Sequence, residues 1–300
     1  MKYKITAVLA LIVLSVAIAL AQSSTSTISP TPSTAASPSF SFTAINFPGA
    51  TRTRAVGLND HGDVVGDYRD SSGVFHGYLL SQGNFTSFDP PGSVLTRCLA
   101  INNLGVIGGS FLDSTNLGHS YVLNRGAFTI FDFPGAIATI FQGMNDLGQV
   151  VGAYVDSVGN THGFLMSSGN FTTVDFPGAA ASVAGGINDR GQIVGNYDDS
   201  SGNNHGFLLS AGNFTTIDFP GALGETAPFG IAANGEIVGF YDDINGLEHG
   251  FTLIAANFGP LDFPGAFLTD AVRVNDAGQI VGTYNLAGQH GFLATPIQKP

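Results

Sequence analysis

An all-β, six-bladed β-propeller of four-stranded antiparallel blades is the fold class this sequence predicts, and three observations predict it. The step Phe-Pro-Gly-Ala, or a near copy, recurs with its proline at Pro48, Pro91, Pro134, Pro177, Pro220 and Pro264, spaced 43, 43, 43, 43 and 44 residues apart. Each unit holds four short stretches rich in β-branched and aromatic residues, and no stretch has the 3.6-residue apolar period of a helix. A period near 43 built from short strands is that of a propeller blade. Finally, the ends are complementary. Phe40 to Phe47 is a Phe-Thr strand with no strands before it, and His290 to Leu293 is a His-Gly-Phe-Leu strand with no Phe-Thr strand after it. Pairing the two completes the sixth blade, closes the ring and removes exposed edges. A β-solenoid is the main alternative, but its coils are shorter, and three hairpin-like turns per unit suit a meander better.

The elements follow in chain order. Residues 1–21 read as a signal peptide: Lys2 and Lys4, an apolar run from Ile5 to Leu20, then Ala19-Leu20-Ala21 as an A-x-A cleavage site. An uncleaved anchor is the rival reading, and 16 apolar residues are short for it. Residues 22–38 are Ser, Thr, Pro and Ala with almost nothing to bury, which predicts a disordered leader. The propeller then occupies residues 39–296. In the copy from Phe171 to Ser210, Phe171 to Phe176 reads as a strand that Pro177-Gly178 stops. Ala184 to Asn188 reads as a second, short strand ending in the turn Asn188-Asp189-Arg190-Gly191. Gln192 to Tyr197 is the third strand, Asp199-Ser200-Ser201-Gly202 the next turn, and His205 to Ser210 the fourth strand.

Asn188-Asp189-Arg190-Gly191-Gln192-Ile193-Val194-Gly195 followed by His205-Gly206-Phe207, and Asn59-Asp60-His61-Gly62-Asp63-Val64-Val65-Gly66 with His76-Gly77-Tyr78, resemble the HAF repeat of probable extracellular repeat proteins. The resemblance spans all six units, about residues 42 to 293. Gly replaces the family's Ala after most of the histidines, Ser120 does so in the second copy, and Ala232-Ala233 replace Asn-Asp in the fifth. The resemblance implies an exported repeat domain and carries over no catalytic residue.

Loss of Lys2 and Lys4 with the signal takes the formal charge from −12 to −14. No basic cluster exists to neutralise phosphates, so nucleic acid and anionic membranes are excluded as partners. Cys98 is the only cysteine, leaving no disulfide frame; apolar residues stand at its equivalents, so it is expected in the core. The expected partner is an extracellular ligand or surface, met by a monomer in the secreted, periplasmic or cell-surface space.

Residues that recur in every unit are most simply spent on the fold. That reading covers His76, His119, His162, His205, His249 and His290. It also covers Asp89, Asp132, Asp175, Asp218 and Asp262, expected to accept backbone N–H bonds in the Phe-Pro turn. No cofactor is expected. Calcium is the alternative, at the loops Asp156 to Asn160 and Asp198 to Asn203, which lack the carboxylates of an EF-hand. The Asn-Phe-Thr sequons at Asn84, Asn170 and Asn213 are by-products of a turn.

The links after Phe-Pro-Gly vary, and their charges single out Arg52, Arg54, Arg97, Glu225, Asp270 and Arg273 as candidate ligand-binding residues. In a propeller such links cross to the next blade's inner strand and line one face near the axis. Arginines grouped there suit a carboxylate, sulfate or phosphate. No catalytic residue is assigned, since Gly-x-Ser-x-Gly, Ser-x-x-Lys and His-Glu-x-x-His are absent. A binding or interaction module is the expected function. The alternatives are a secreted hydrolase or lyase using Glu225 and Asp270, and a purely structural matrix protein.

Overall fold

Turn chemistry sets the strand boundaries. At the outer hairpin of the first blade, Gln82 and Gly83 have φ of 49° and 78°, two consecutive left-handed residues, as a tight two-residue hairpin requires. The same pair recurs as Ala211-Gly212 in the fourth blade. Between such turns, the computed structural model, which describes residues 26–27 and 39–297, forms six four-stranded antiparallel sheets.

The innermost strands are Arg52–Leu58, Ser93–Ile101, Ala138–Met144, Ala181–Ile187, Thr226–Ile231 and Leu268–Val274. Each pairs outward in sequence order with the next strand of its own unit. The sixth sheet closes the ring: Phe40–Ile45 pairs with Gln289–Pro296 in antiparallel register, Phe40 opposite Pro296 and Ile45 opposite Gly291. The segment read as a signal peptide and most of the expected leader lie outside the described residues. Ser26–Thr27 forms a parallel pair with the outer strand of the fourth blade, Ser26 opposite Thr215.

The recurrent Val-Val-Gly step has a steric cause. A Cβ on Gly66, Gly152 or Gly195 would run into the carbonyl oxygen of Arg54, Ile140 or Val183, beside the ring of Tyr78, Phe164 or Phe207. Those rings, with Tyr121, Phe251 and Phe292, are wholly buried between sheets. Cys98 is buried among them, as its apolar equivalents imply.

The recurrent histidines are fixed by stacking and charge. Phe47, Tyr68 and His76 form a column, Phe47 on Tyr68 at 3.6 Å, and the column repeats as Phe133-Tyr154-His162 and Phe176-Tyr197-His205. His76 Nδ1 lies 2.7 Å from Asp89, and its Nε2 3.6 Å from Asp70. The same bracket holds His119, His162, His205 and His249. Asn46 holds His290 before the first such step, and the Asp before each of the other five therefore serves a histidine. Its expected backbone bonds within that turn give way because the hairpin brings His and Asp face to face.

These pairs set a pH dependence. Burial opposes charge on His76, His119 and His162, but hydrogen bonds and charge from their aspartates win and raise all three. The bond to Asp218 raises His205. Stability from a raised histidine is complete below about pH 6.5 and is lost as pH climbs through the folded value. Asp70, Asp113, Asp156 and Asp199 are held at about 2, chiefly by hydrogen bonds from their own turns. Their contribution is lost only as pH falls toward 2. Thermal melts should therefore be higher at pH 5 than at pH 8.5. An equal or higher melting temperature at pH 8.5 would contradict this account.

Candidate functional site

Five of the six candidate residues lie on or beside innermost strands, at the face where the Pro-Gly links enter. The inner strands begin earlier than the sequence suggests. In the fourth unit the inner strand begins at Ala181, three residues before the expected start, and the outer strand of the third blade before it ends at Thr173, three residues before the expected Phe176. Arg52, Arg54, Arg97, Asp270 and Arg273 consequently sit on strands, and only Glu225 precedes its strand. The candidate side chains are thus held by sheet ladders rather than by mobile loops.

Arg54 and Arg97 come from adjacent blades and meet on one carboxylate. Arg54 Nη2 donates to Asp67 Oδ2 at 2.5 Å and Arg97 Nη1 to Asp67 Oδ1 at 2.7 Å, with the Asp67 side chain fully buried. Burial alone would raise Asp67, but the two guanidinium groups outweigh it and hold the carboxyl below its usual range. Burial lowers Arg97 to about 10 despite that partner. Its guanidinium lies 3.8 Å from the centroid of Phe75, and Arg52 and Arg69 flank the same ring at 5.9 Å each. Arg52 Nη2 also donates to Gln289 across the neighbouring crevice at 2.5 Å. The result is a cationic half-face over the sixth, first and second blades.

Glu225 and Asp270 belong to an opposite, acidic half. Asn196 Nδ2 donates to Glu225 Oε1 at 3.4 Å, and the Glu225 amide lies 3.4 Å from Asp242 Oδ2. Burial, then the charges of Asp242, Asp198 and Asp270, push Glu225 to about 7. Glu248 faces Asp270 across the next crevice; burial and that carboxyl push it to about 8. Thr283 donates to Asp270 Oδ2 at 2.7 Å.

Arg273 is placed elsewhere. Its equivalents in the other five blades are Gly57, Ala100, Gly143, Gly186 and Gly230, small residues around the axis. Its side chain crosses that axis and donates to the carbonyls of Phe229 (2.6 Å), Val272 (2.9 Å), Gly185 (3.2 Å) and Gln142. Burial lowers it to about 10. It ties blades together and does not join Arg52, Arg54 and Arg97.

Sequence reasoning missed Asp67, Arg69, Phe75, Glu248 and Asp242, and singled out Asp198 only as part of a calcium loop. The signal was present. Asp67 replaces Ser110, Ala153, Asn196, Phe240 and Thr283 of the other copies, and Glu248 replaces Phe75, Gly118, Thr161, Asn204 and Gln289. Charges that break the repeat were sought in the links, whereas these lie on the second and third strands.

A cavity of about 100 Å³ opens at the axis on the opposite face, ringed by the Asn-Asp turns. There Asn102 Nδ2 donates to Asn145 O and Asn145 Nδ2 to Asn188 O, blade to blade. Asn59, Asn188 and Asn275 continue the ring. Only Ala232 fails to donate, which is where the fifth unit departs from the repeat. These polar groups are spent on joining blades. At the loops considered for calcium, Asp156 Oδ1 accepts N–H bonds from Val158, Gly159 and Asn160, and Asp199 Oδ1 from Ser201 and Asn203.

No family model and no curated protein matches the chain. Solved structures do. Streptogramin B lyase is 13% identical with a TM-score of 0.50, over 85% of this chain and 97% of that one. AofleA from Arthrobotrys oligospora is 10% identical with a TM-score of 0.52, over 94% and 96%. TolB from Acinetobacter baumannii is 15% identical with a TM-score of 0.54, over 69% of this chain and 54% of that one. At such identities the likeness is one of fold alone.

Proposed function

We propose that the chain is an exported binding module of HAF-repeat type, whose ligand docks on the Pro-Gly face beside the axis. One observation carries this reading. The charged residues that break the six-fold repeat gather there in two facing groups, while the recurrent polar residues are committed to turns, histidine brackets and the axial ring. Arg54 is largely spent on Asp67, so Arg97, Arg52 and Arg69 around Phe75 are the groups that receive an anion. Arg273 takes no part.

The second reading, a hydrolase or lyase, is favoured by Glu225 at about 7 and Glu248 at about 8, values that suit a general acid near neutral pH. One experiment addresses both. Sulfate and galacturonate are titrated calorimetrically into the purified protein, and the same preparation is screened for turnover of polysaccharides, peptides and esters. Arg97→Ala should weaken anion binding about tenfold or more, as loss of a charge-assisted pair does. Arg125→Ala, at a distant outer turn, should leave it unchanged. Equal affinity in both variants would sink the binding reading. Turnover that disappears in Glu225→Ala or Asp270→Ala would replace it with the enzymatic one.

A further inference from the structure

The axial cavity on the Asn-Asp face is ringed by six turns, and the ring is broken at one blade. The second position of these turns is Asp60, Asn103, Asp146, Asp189, Ala233 and Asp276. Around the rim, the N–H of each blade is capped by a side chain of the next. Asp60 N donates to Asn103 Oδ1 at 2.8 Å, Asn103 N to Asp146 Oδ1 at 2.7 Å and Asp146 N to Asp189 Oδ1 at 2.9 Å. Ala233 N donates to Asp276 Oδ1 and Asp276 N to Asp60 Oδ1, both at 2.9 Å. The Asp189 N–H is the exception. Ala233 has no side-chain oxygen to offer it, and it donates to no other described residue.

The second blade shows what fits the gap. There Asn103 sets a carboxamide between two aspartates. Its Oδ1 accepts from Asp60 N, and its Nδ2 donates to Asp60 Oδ2 at 2.7 Å and to Asp146 Oδ2 at 2.9 Å. In the fifth blade the flanking residues are again aspartates, Asp189 before and Asp276 after, but Ala233 puts only a methyl group between them. Both use Oδ1 in the rim, and neither Oδ2 accepts a hydrogen bond from any described residue. One free N–H and two free carboxylate oxygens therefore surround the gap, as they surround the amide of Asn103.

The tier beneath is open at the same blade. Asn145, Asn188 and Asn275 each give Nδ2 to a glutamine of their own turn, Gln149, Gln192 or Gln279, and to a carbonyl of the next blade. Ala232 can give neither bond. Glu236 stands where those glutamines do, only 8% exposed, with Asn234 beside it instead. Two adjacent alanines thus remove two amide side chains from one blade, and the cavity of about 100 Å³, walled there by Ile187, Ile231 and Val274, reaches the space they leave.

We propose that the axial cavity binds a ligand bearing a primary carboxamide, which takes at the fifth blade the place that the Asn103 amide holds at the second. The ligand oxygen accepts from Asp189 N, its two N–H groups donate to Asp189 Oδ2 and Asp276 Oδ2, and its carbon chain lies over the apolar wall. An ammonium would leave the Asp189 N–H without an acceptor. A carboxylate would face two carboxylates. The amide is the group that answers all three atoms. This site lies on the face opposite the arginines and is independent of anion binding there.

The test titrates butyramide into the full chain labelled with nitrogen-15 and follows the backbone amide signal of Asp189. Pentan-2-one has the same shape and carbonyl but no N–H, and butylammonium has the N–H groups but no acceptor. The expected result is a saturable shift of that signal with butyramide, at roughly millimolar affinity, and binding about tenfold weaker or worse for the other two. Ala233→Asn supplies the amide from within the chain. It should abolish the butyramide shift and raise the melting temperature by about 2–4 °C. Ala233→Gln is the second variant should the first fail to fold. A glutamine side chain, offered as acetyl-Ala-Gln-Ala-methylamide, tells whether the amide arrives on a peptide or free: tighter binding than butyramide supports the first, weaker binding the second, and both support the site. Equal affinity for pentan-2-one or butylammonium overturns the proposal, as does a butyramide shift that survives in Ala233→Asn. No saturable shift with either amide also overturns it and leaves the gap to water.

Discussion

Deleting residues 39–47 opens the ring and lowers the melting temperature by roughly 10–20 °C. The deleted strand pairs along its whole length with Gln289–Pro296 and buries Ile45 in the core. Phe42 packs edge-on against Phe263 and Phe292 at 5.4 and 5.6 Å, and Phe47 stacks on Tyr68 at 3.6 Å. Burying three such side chains contributes about 5 kcal/mol or more. A domain of this size shifts its melting point by about 2–4 °C per kcal/mol. His290 also loses its 2.6 Å contact with Asn46. Deletion leaves Gln289–Pro296 as a bare edge, so the variant should also associate on size-exclusion chromatography. An unchanged melt would show that the sixth blade is complete without its N-terminal strand.

Arg273→Ala is expected to cost about 3 kcal/mol, with a melting temperature roughly 10 °C lower. The guanidinium is the donor shared by carbonyls from the third, fourth, fifth and sixth blades. Neighbouring glycines leave room for it: a Cβ on Gly186 would strike the carbonyl oxygen of Phe229, and a Cβ on Gly143 would come within 3.4 Å of the Arg273 fork. Alanine at 273 leaves those acceptors around the axis without their donor. Lysine keeps the charge but loses the planar fork, so Arg273→Lys should fall between the two. Burying a guanidinium carries its own cost. If Arg273→Met melts as the native chain does, that cost cancels the hydrogen bonds and the axial arginine is not a staple.

Within one unit the chain is legible because the rules are local. Alternation of side chains, left-handed glycines and turn-forming Asn-Asp steps operate over a few residues and repeat six times. They determined the number of blades, four strands in each, the N-to-C closure and the burial of Cys98. They also separated recurrent histidines, held by Asp89 and its counterparts, from charges that break the pattern. The period carries no record of how far a side chain reaches into the next blade. Arg54 and Asp67 are 13 residues apart, but Arg97 reaches Asp67 from 30 residues away. Glu248 and Asp270 face each other only because consecutive sheets pack with a fixed rotation about the axis. Arg273 shares its chemistry with the other candidate arginines, yet it lies past the bulge that every inner strand carries, between Ala271 and Arg273 in its own, and so points onto the axis. Local pattern thus set the blades, while the packing of one blade on the next chose which charges meet.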